Sequence, residues 1–187
     1  MHKLYDFIEA RERLTTVVVK TKLMHSPVFS EESGNEIYLK PENLQKTGSF
    51  KIRGAYNKIA KLTEEEKKKG VIASSAGNHA QGVAYAAKRL GIKAVIVMPK
   101  HTPLIKVEAT RKYGAEVVLY GEVYDDAYKK ALELQKENGY VFVHPFNDED
   151  VIEGQGTIAL EILDELPDAD IILVPLGGGG LVSGIAS

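Results

Sequence analysis

From residue 71 onward the chain alternates without a break between short apolar runs and helical patterns, and this order constrains the fold more than any other feature. Val71 to Ser74 and Ala94 to Met98 are apolar runs of strand length, and Glu116 to Tyr120 and Tyr140 to Val143 also read as extended. Between them lie three helical patterns, Asn78 to Leu90, Leu104 to Tyr113 and Tyr124 to Glu137, the last closed by Asn138-Gly139. Apolar strands separated by helices are covered on both faces, which predicts an α/β fold: an open parallel sheet with right-handed crossovers, flanked by helices.

A second block flanks this unit. Leu4 to Val17 reads as a helix, Ser26-Pro27 as a helix start and Glu36 to Lys40 as a strand. Ser49 is a suitable N-cap for a helix over Phe50 to Leu62, and Thr63-Glu64-Glu65-Glu66 is a capping box for a short helix after it. Glu149 to Leu166 follows as a long helix, then an apolar strand over Ile171 to Leu176, four glycines, and a helix starting at Leu181. We therefore place a small α/β domain at residues 48–146, with 1–47 and 147–187 as the N-terminal part of a second α/β domain. The final apolar helix has no polar face and needs partners all round. The expectation is that Ser187 is not the natural end of this fold.

Composition removes several functional classes. Basic and acidic residues number 24 and 26, giving a net charge of −2 with no field to attract nucleic acid or an anionic membrane. The absence of cysteine excludes disulfides, thiolate nucleophiles and cysteine-ligated metal. The apolar stretch Ile171 to Ala186 is too short to span a bilayer and is interrupted by Pro175 and the glycines. With no apolar signal core at the start, the chain reads as cytoplasmic.

Three loops could carry chemistry. Lys51 sits in the first turn of its helix, where the positive end of the dipole disfavours a cation and favours the neutral, nucleophilic amine that can form a Schiff base. The alternative is one more solvated lysine. Gly177-Gly178-Gly179-Gly180 joins a strand to a helix and can turn several backbone N–H groups toward a phosphate; the alternative is a tight turn. It is neither a P-loop nor Gly-x-Gly-x-x-Gly. Ser74-Ser75-Ala76-Gly77-Asn78-His79 offers N–H groups and a helix dipole to a carboxylate, or else simply caps its helix. His79 has no metal-ligand spacing to His2, His25, His101 or His144 and reads as a satisfied or exposed histidine. No metal site and no hydrolase constellation is predicted.

An activatable lysine, a phosphate cup and a carboxylate turn together suit an aldehyde cofactor with a phosphate handle and an amino-acid substrate. Glu42 to Ala55, Ser75-Ala76-Gly77-Asn78-His79-Ala80-Gln81-Gly82 and Gly177 to Gly180 resemble the threonine dehydratases, the threonine ammonia-lyases of the fold-type II pyridoxal-phosphate enzymes. The resemblance extends through His144-Pro145-Phe146-Asn147-Asp148 and Glu153-Gly154-Gln155-Gly156-Thr157. It implies that Lys51 binds pyridoxal 5′-phosphate covalently and later removes the substrate α-proton, while Phe50 packs beside the ring. It further implies that Asn78 bonds the ring 3-hydroxyl, Gly177, Gly178, Gly179 and Gly180 hold the phosphate, and Ser75, Ala76, Gly77, Asn78 and His79 grip the substrate carboxylate. Threonine would become 2-oxobutanoate and ammonia, with serine as a second substrate, in amino-acid metabolism and isoleucine biosynthesis. Serine racemases carry Ser where this chain has Ala76, so elimination is favoured over racemisation. Cysteine and threonine synthases carry Lys-Asp-Arg where Ile52-Arg53-Gly54 stands. The family also implies a homo-oligomer. Its members run well past the glycine loop, so the expectation is a truncated form whose own activity is in doubt, the alternatives being a fragment that only folds or binds cofactor, or serine racemase-like activity.

Overall fold

In the computed structural model, which describes residues 3–187, a parallel sheet forms where the apolar runs predict it. Met1 and His2, part of the start read as lacking a signal core, lie outside the described residues. The elements in chain order are α1 (Leu4–Leu14), β1 (Met24–His25), α2 (Pro27–Ser33), β2 (Tyr38–Leu39), a 3-10 turn Glu42–Leu44, α3 (Lys51–Ala60), α4 (Glu64–Lys69) and β3 (Val71–Ser74). Then follow α5 (Asn78–Leu90), β4 (Ala94–Met98), α6 (Leu104–Lys112), β5 (Glu116–Leu119), α7 (Tyr124–Asn138), β6 (Val141–Phe142), α8 (Glu149–Glu165) and α9 (Gly180–Ala186).

The sheet runs β5-β4-β3-β6, every pair parallel, and the alternation of side chains along it explains why both faces are covered. Val71 and Ala73 of β3, with Ala94, Ile96 and Met98 of β4, join a core built with α3, α5 and α6. Ile72, Val95 and Val97 point the other way, onto Ala127 and Ala131 of α7. Each strand thus divides its residues between two cores, a period of two that buries an unbroken apolar run. The chain moves outward from β3 through β4 to β5, then returns to the other side of β3 as β6. That reversal opens a crevice beyond the carboxyl ends of β3 and β6, where ligands of open α/β sheets bind.

Capping chemistry sets several element boundaries. Ser26 accepts from the Phe29 N–H at the start of α2, and Thr63 and Glu66 exchange both bonds of the predicted capping box. At α3 the helix begins one residue later than predicted, at Lys51, while the Ser49 hydroxyl still accepts from the Lys51 N–H at 3.3 Å. Helix α3 packs against both α5 and α8. Its crossing with α8 is close because Gly54 and Gly154 meet there: a Cβ on Gly154 would lie 2.6 Å from the Arg53 carbonyl oxygen and from the Gly54 Cα.

One predicted strand is absent. Ile171 to Leu176 adopts no strand, and Ile171, Leu173 and Leu176 are 78%, 88% and 75% exposed. A strand exists through the ladder it shares with a neighbour, and among the described residues this segment has none.

Candidate active site

Lys51, the first residue of α3, reaches the crevice from one side and the glycine loop reaches it from the other. With Phe50, Phe146, Pro175 and Leu181 they line a cavity of about 190 Å³ that includes Gly177, Gly178, Gly179 and Gly180. The Lys51 Nζ donates to the Pro145 carbonyl oxygen at 2.7 Å and lies 5.3 Å from the centre of the Phe50 ring. No ion pair is formed by this lysine among the described residues, and burial lowers its pKa below the ordinary lysine value. Removal from water penalises the ammonium and favours the amine. The dipole at the first turn acts in the same sense.

The glycine loop is shaped by what surrounds it. A Cβ on Gly178 would fall 2.4 Å from the Phe146 ring, and one on Gly180 would lie 2.6 Å from the Phe146 carbonyl oxygen. Gly179 adopts φ 89°, the left-handed region that favours glycine. Gly177 faces open space, with nothing within 4 Å of a Cβ built there. The loop therefore wraps Phe146 on one side and leaves backbone toward the cavity on the other. A bare backbone turn leading into α9 thus stands opposite a partly desolvated amine.

The Ser75–His79 loop lies at the carboxyl end of β3 and leads into α5. No side chain caps that helix; the Ser75 hydroxyl instead accepts from the Gly77 N–H at 3.2 Å. Reading this loop as a plain helix cap therefore fails, and the first-turn N–H groups of α5 remain for another acceptor. Asn78 is exposed at the first position of the helix. None of Ser75, Ala76, Gly77, Asn78 and His79 lines the small cavity around Lys51.

Of the two readings left open for His79, satisfied or exposed, the structure shows the buried ring with a hydrogen-bond partner. Its imidazole is buried and its Nε2 lies 2.9 Å from the Val143 carbonyl oxygen. Because that oxygen can only accept, Nε2 carries the proton and Nδ1 is a bare acceptor, which is left without a partner. Burial holds the pKa down at about 4, so the ring is neutral near pH 7. The side chain ties α5 to the end of β6 rather than facing a ligand, and any contact of His79 with a carboxylate falls to its backbone N–H.

The sequence reading assigned no role to the segment after β6. Pro145 supplies the lysine's acceptor, Phe146 fills the glycine loop, and Val143 anchors His79. The His-Pro-Phe-Asn-Asp run was the available signal, but spacing alone does not reveal that a backbone carbonyl is the functional atom.

Comparison with known proteins bears on the family and the fold. The fold is that of an α/β protein and superposes on part of maize serine racemase: TM-score 0.95 at 41% identity, covering 98% of this chain and 56% of that one. Threonine deaminase isoform 2 of Solanum lycopersicum superposes with TM-score 0.91 at 43% identity, covering 99% and 52%. The family model described as "Pyridoxal-phosphate dependent enzyme" matches residues 14–187, and the chain belongs to that family. The L-threonine ammonia-lyase of Thermotoga maritima is 61% identical over 186 residues, covering 100% of this chain and 46% of that protein. The chain thus spans about half the length of the curated relatives it matches. Among the described residues no helix is long and apolar enough to cross a membrane.

Proposed function

We propose that the protein to which this chain belongs dehydrates and deaminates L-threonine, and L-serine as a second substrate, releasing 2-oxobutanoate or pyruvate and ammonia. The observation that carries this reading is the meeting of Lys51 and the glycine loop across one cavity. The family and the names of the relatives support it. In this reading Lys51 is the residue to which pyridoxal 5′-phosphate attaches, Gly177 to Gly180 bind its phosphate through backbone N–H groups, and Phe50 packs beside the ring. Asn78, at the start of α5, bonds the ring hydroxyl, and the N–H groups of Ser75 to His79 receive the substrate carboxylate, helped by the helix dipole.

The cofactor, when bound, supplies an electron sink for the carbanion formed at the substrate α-carbon. The chain's own residues do the rest. Lys51, whose amine form burial favours, takes the α-proton at Nζ. Ala76 has no hydroxyl to return that proton from the opposite face, which supports elimination over the racemisation named for the maize neighbour. We also propose residues 48–146 as a small domain against a larger one contributed by 1–47 and 147–187, a homo-oligomeric cytoplasmic enzyme, and a place in isoleucine biosynthesis.

The test is release of 2-oxobutanoate from threonine, together with borohydride trapping of the cofactor on Lys51. Lys51→Ala should remove both. Cofactor absorbance trapped on Lys51 without 2-oxobutanoate would support a binding module instead.

A further inference from the structure

The turn from Val143 to Asn147 touches every loop of the candidate site. Val143 accepts from His79 beneath the carboxylate loop, Pro145 accepts from Lys51, and the Phe146 ring fills the space left by Gly178. The turn's own shape depends on one side chain. His144 Nδ1 accepts from the Asn147 N–H at 2.8 Å and from the Phe146 N–H at 3.3 Å, so the imidazole bridges the turn it belongs to. Its ring is wedged between Phe142 and Phe146, with centroids at 6.3 and 4.7 Å. Both bonds close over Pro145, whose carbonyl holds the lysine.

We propose that His144 is a positioning residue for Lys51: its unprotonated Nδ1 locks the 143–147 turn, and the locked turn places the Pro145 carbonyl that holds the Lys51 Nζ facing the cavity. This deepens the reading of Lys51 as the cofactor lysine and rests on it. Protonation of Nδ1 would turn the acceptor of two bonds into a donor facing two N–H groups, so the lock exists only while His144 is neutral. The groups facing it are Lys51, the neutral His79, and Asp148, which is itself paired with Lys58 at 3.0 Å. Burial and the Lys51 charge lower the His144 pKa, and Asp148 opposes them; the net direction is downward. The turn therefore stays locked near neutral pH and opens on acidification, in more acid solution than an ordinary histidine would require.

Two variants separate this role from a structural one. Asn at 144 can offer a side-chain oxygen to the same N–H groups, as in an Asx-turn, but does not titrate; Ala offers none. The first measurement is the pH titration of the Lys51 Cε resonance in isotope-labelled, cofactor-free protein, assigned by its loss in Lys51→Met. The second is the rate at which the same protein takes up pyridoxal phosphate. In the wild type the Lys51 resonance should show an acid inflection that follows His144. His144→Ala should shift the lysine titration at every pH and slow cofactor uptake by about ten- to a hundredfold. His144→Asn should restore both near pH 7 and abolish the acid inflection. The proposal is overturned if His144→Ala folds and leaves the Lys51 titration unchanged, if His144→Asn keeps the inflection, or if neither variant folds. Failure of the cofactor reading is seen separately, as a wild type that takes up no pyridoxal phosphate on Lys51, and the resonance titration still tests the link to His144.

Discussion

Lys51 and Arg53 are two residues apart on α3, about 200° around a helix, and the molecule treats these two cations in opposite ways. Arg53 is fully buried, and all five of its N–H donors have acceptors: Glu42 takes two bonds at 2.8 Å, Glu161 takes two at 2.7 and 2.9 Å, and the Thr157 hydroxyl takes one at 3.1 Å. Lys40 adds a second positive charge at 2.8 Å from Glu161, so the cluster closes at neutrality, two cations against two carboxylates. Lys51 has one uncharged carbonyl. Desolvation is the largest influence on both, but the two carboxylates overcome it for Arg53 and raise its pKa, whereas nothing offsets it for Lys51. The lesson is that burial creates a permanent charge or a reactive amine according to whether a carboxylate is buried with it. Helix α3 fastens one face to α8 and the 42–44 turn, and in doing so aims the other into the cavity.

Exchanging the two roles should give opposite phenotypes. Lys51→Ala should lower threonine turnover by about a thousandfold or more while chemical denaturation moves by less than about 0.5 kcal/mol. Arg53→Met should leave Glu42 and Glu161 without their main partner and cost about 3–5 kcal/mol of stability. Urea titration of the two variants, beside turnover, checks both. If Arg53→Met were as stable as the wild type, the closed ionic cluster would not be what holds α3.

A second contrast, between buried neutral and buried paired groups, appears on acidification. His79 has a folded pKa of about 4 against an ordinary 6.5, so the unfolded chain binds more protons between those values. Its contribution is fully present above pH 6.5 and is lost as pH falls toward 4, about 3 kcal/mol in all. His144 adds in the same direction. The paired carboxylates Asp150 and Glu161 have lowered pKa values, and their contribution is lost only in more acid solution. A stability profile should therefore fall in two steps, and His79→Asn should shrink the first, leaving the His144 part, without changing the second. A single step near pH 4 in the wild type would remove His79 from the account.

Much of the fold was legible because its strands need no partner outside the small sheet. Val71 to Ser74 is an apolar run between two helices, and it is a strand because β4 and β6 flank it. Ile171 to Leu176 carries the same signal and is not one, because apolar composition describes what a strand wants to bury and says nothing about whether a neighbour is present. The site divides in a similar way. Lys51 and the glycines announce themselves by residue type, whereas the carbonyls of Pro145 and Val143 are groups that every residue carries. For His79 residue order left two states open, satisfied or exposed, and the choice between them is set by packing: its ring turns inward to the end of β6.

The smallest effect tests the same comparison with a single methyl group. Gly154, on the Arg53 side of α3, has the Arg53 carbonyl 2.6 Å from where a Cβ would stand, and the collision is with backbone, which cannot rotate away. Gly177, on the Lys51 side, meets nothing within 4 Å. Gly154→Ala should therefore cost about 1–3 kcal/mol through overpacking, and Gly177→Ala less than about 0.5 kcal/mol. Cofactor uptake should respond the other way, because a methyl at 177 stands in the space assigned to the phosphate while one at 154 does not. If Gly177→Ala took up pyridoxal phosphate as fast and as tightly as the wild type, the phosphate would have to sit elsewhere. The opening beside Gly177 would then be ordinary surface, and the contrast between the two faces of α3 would reduce to the lysine alone.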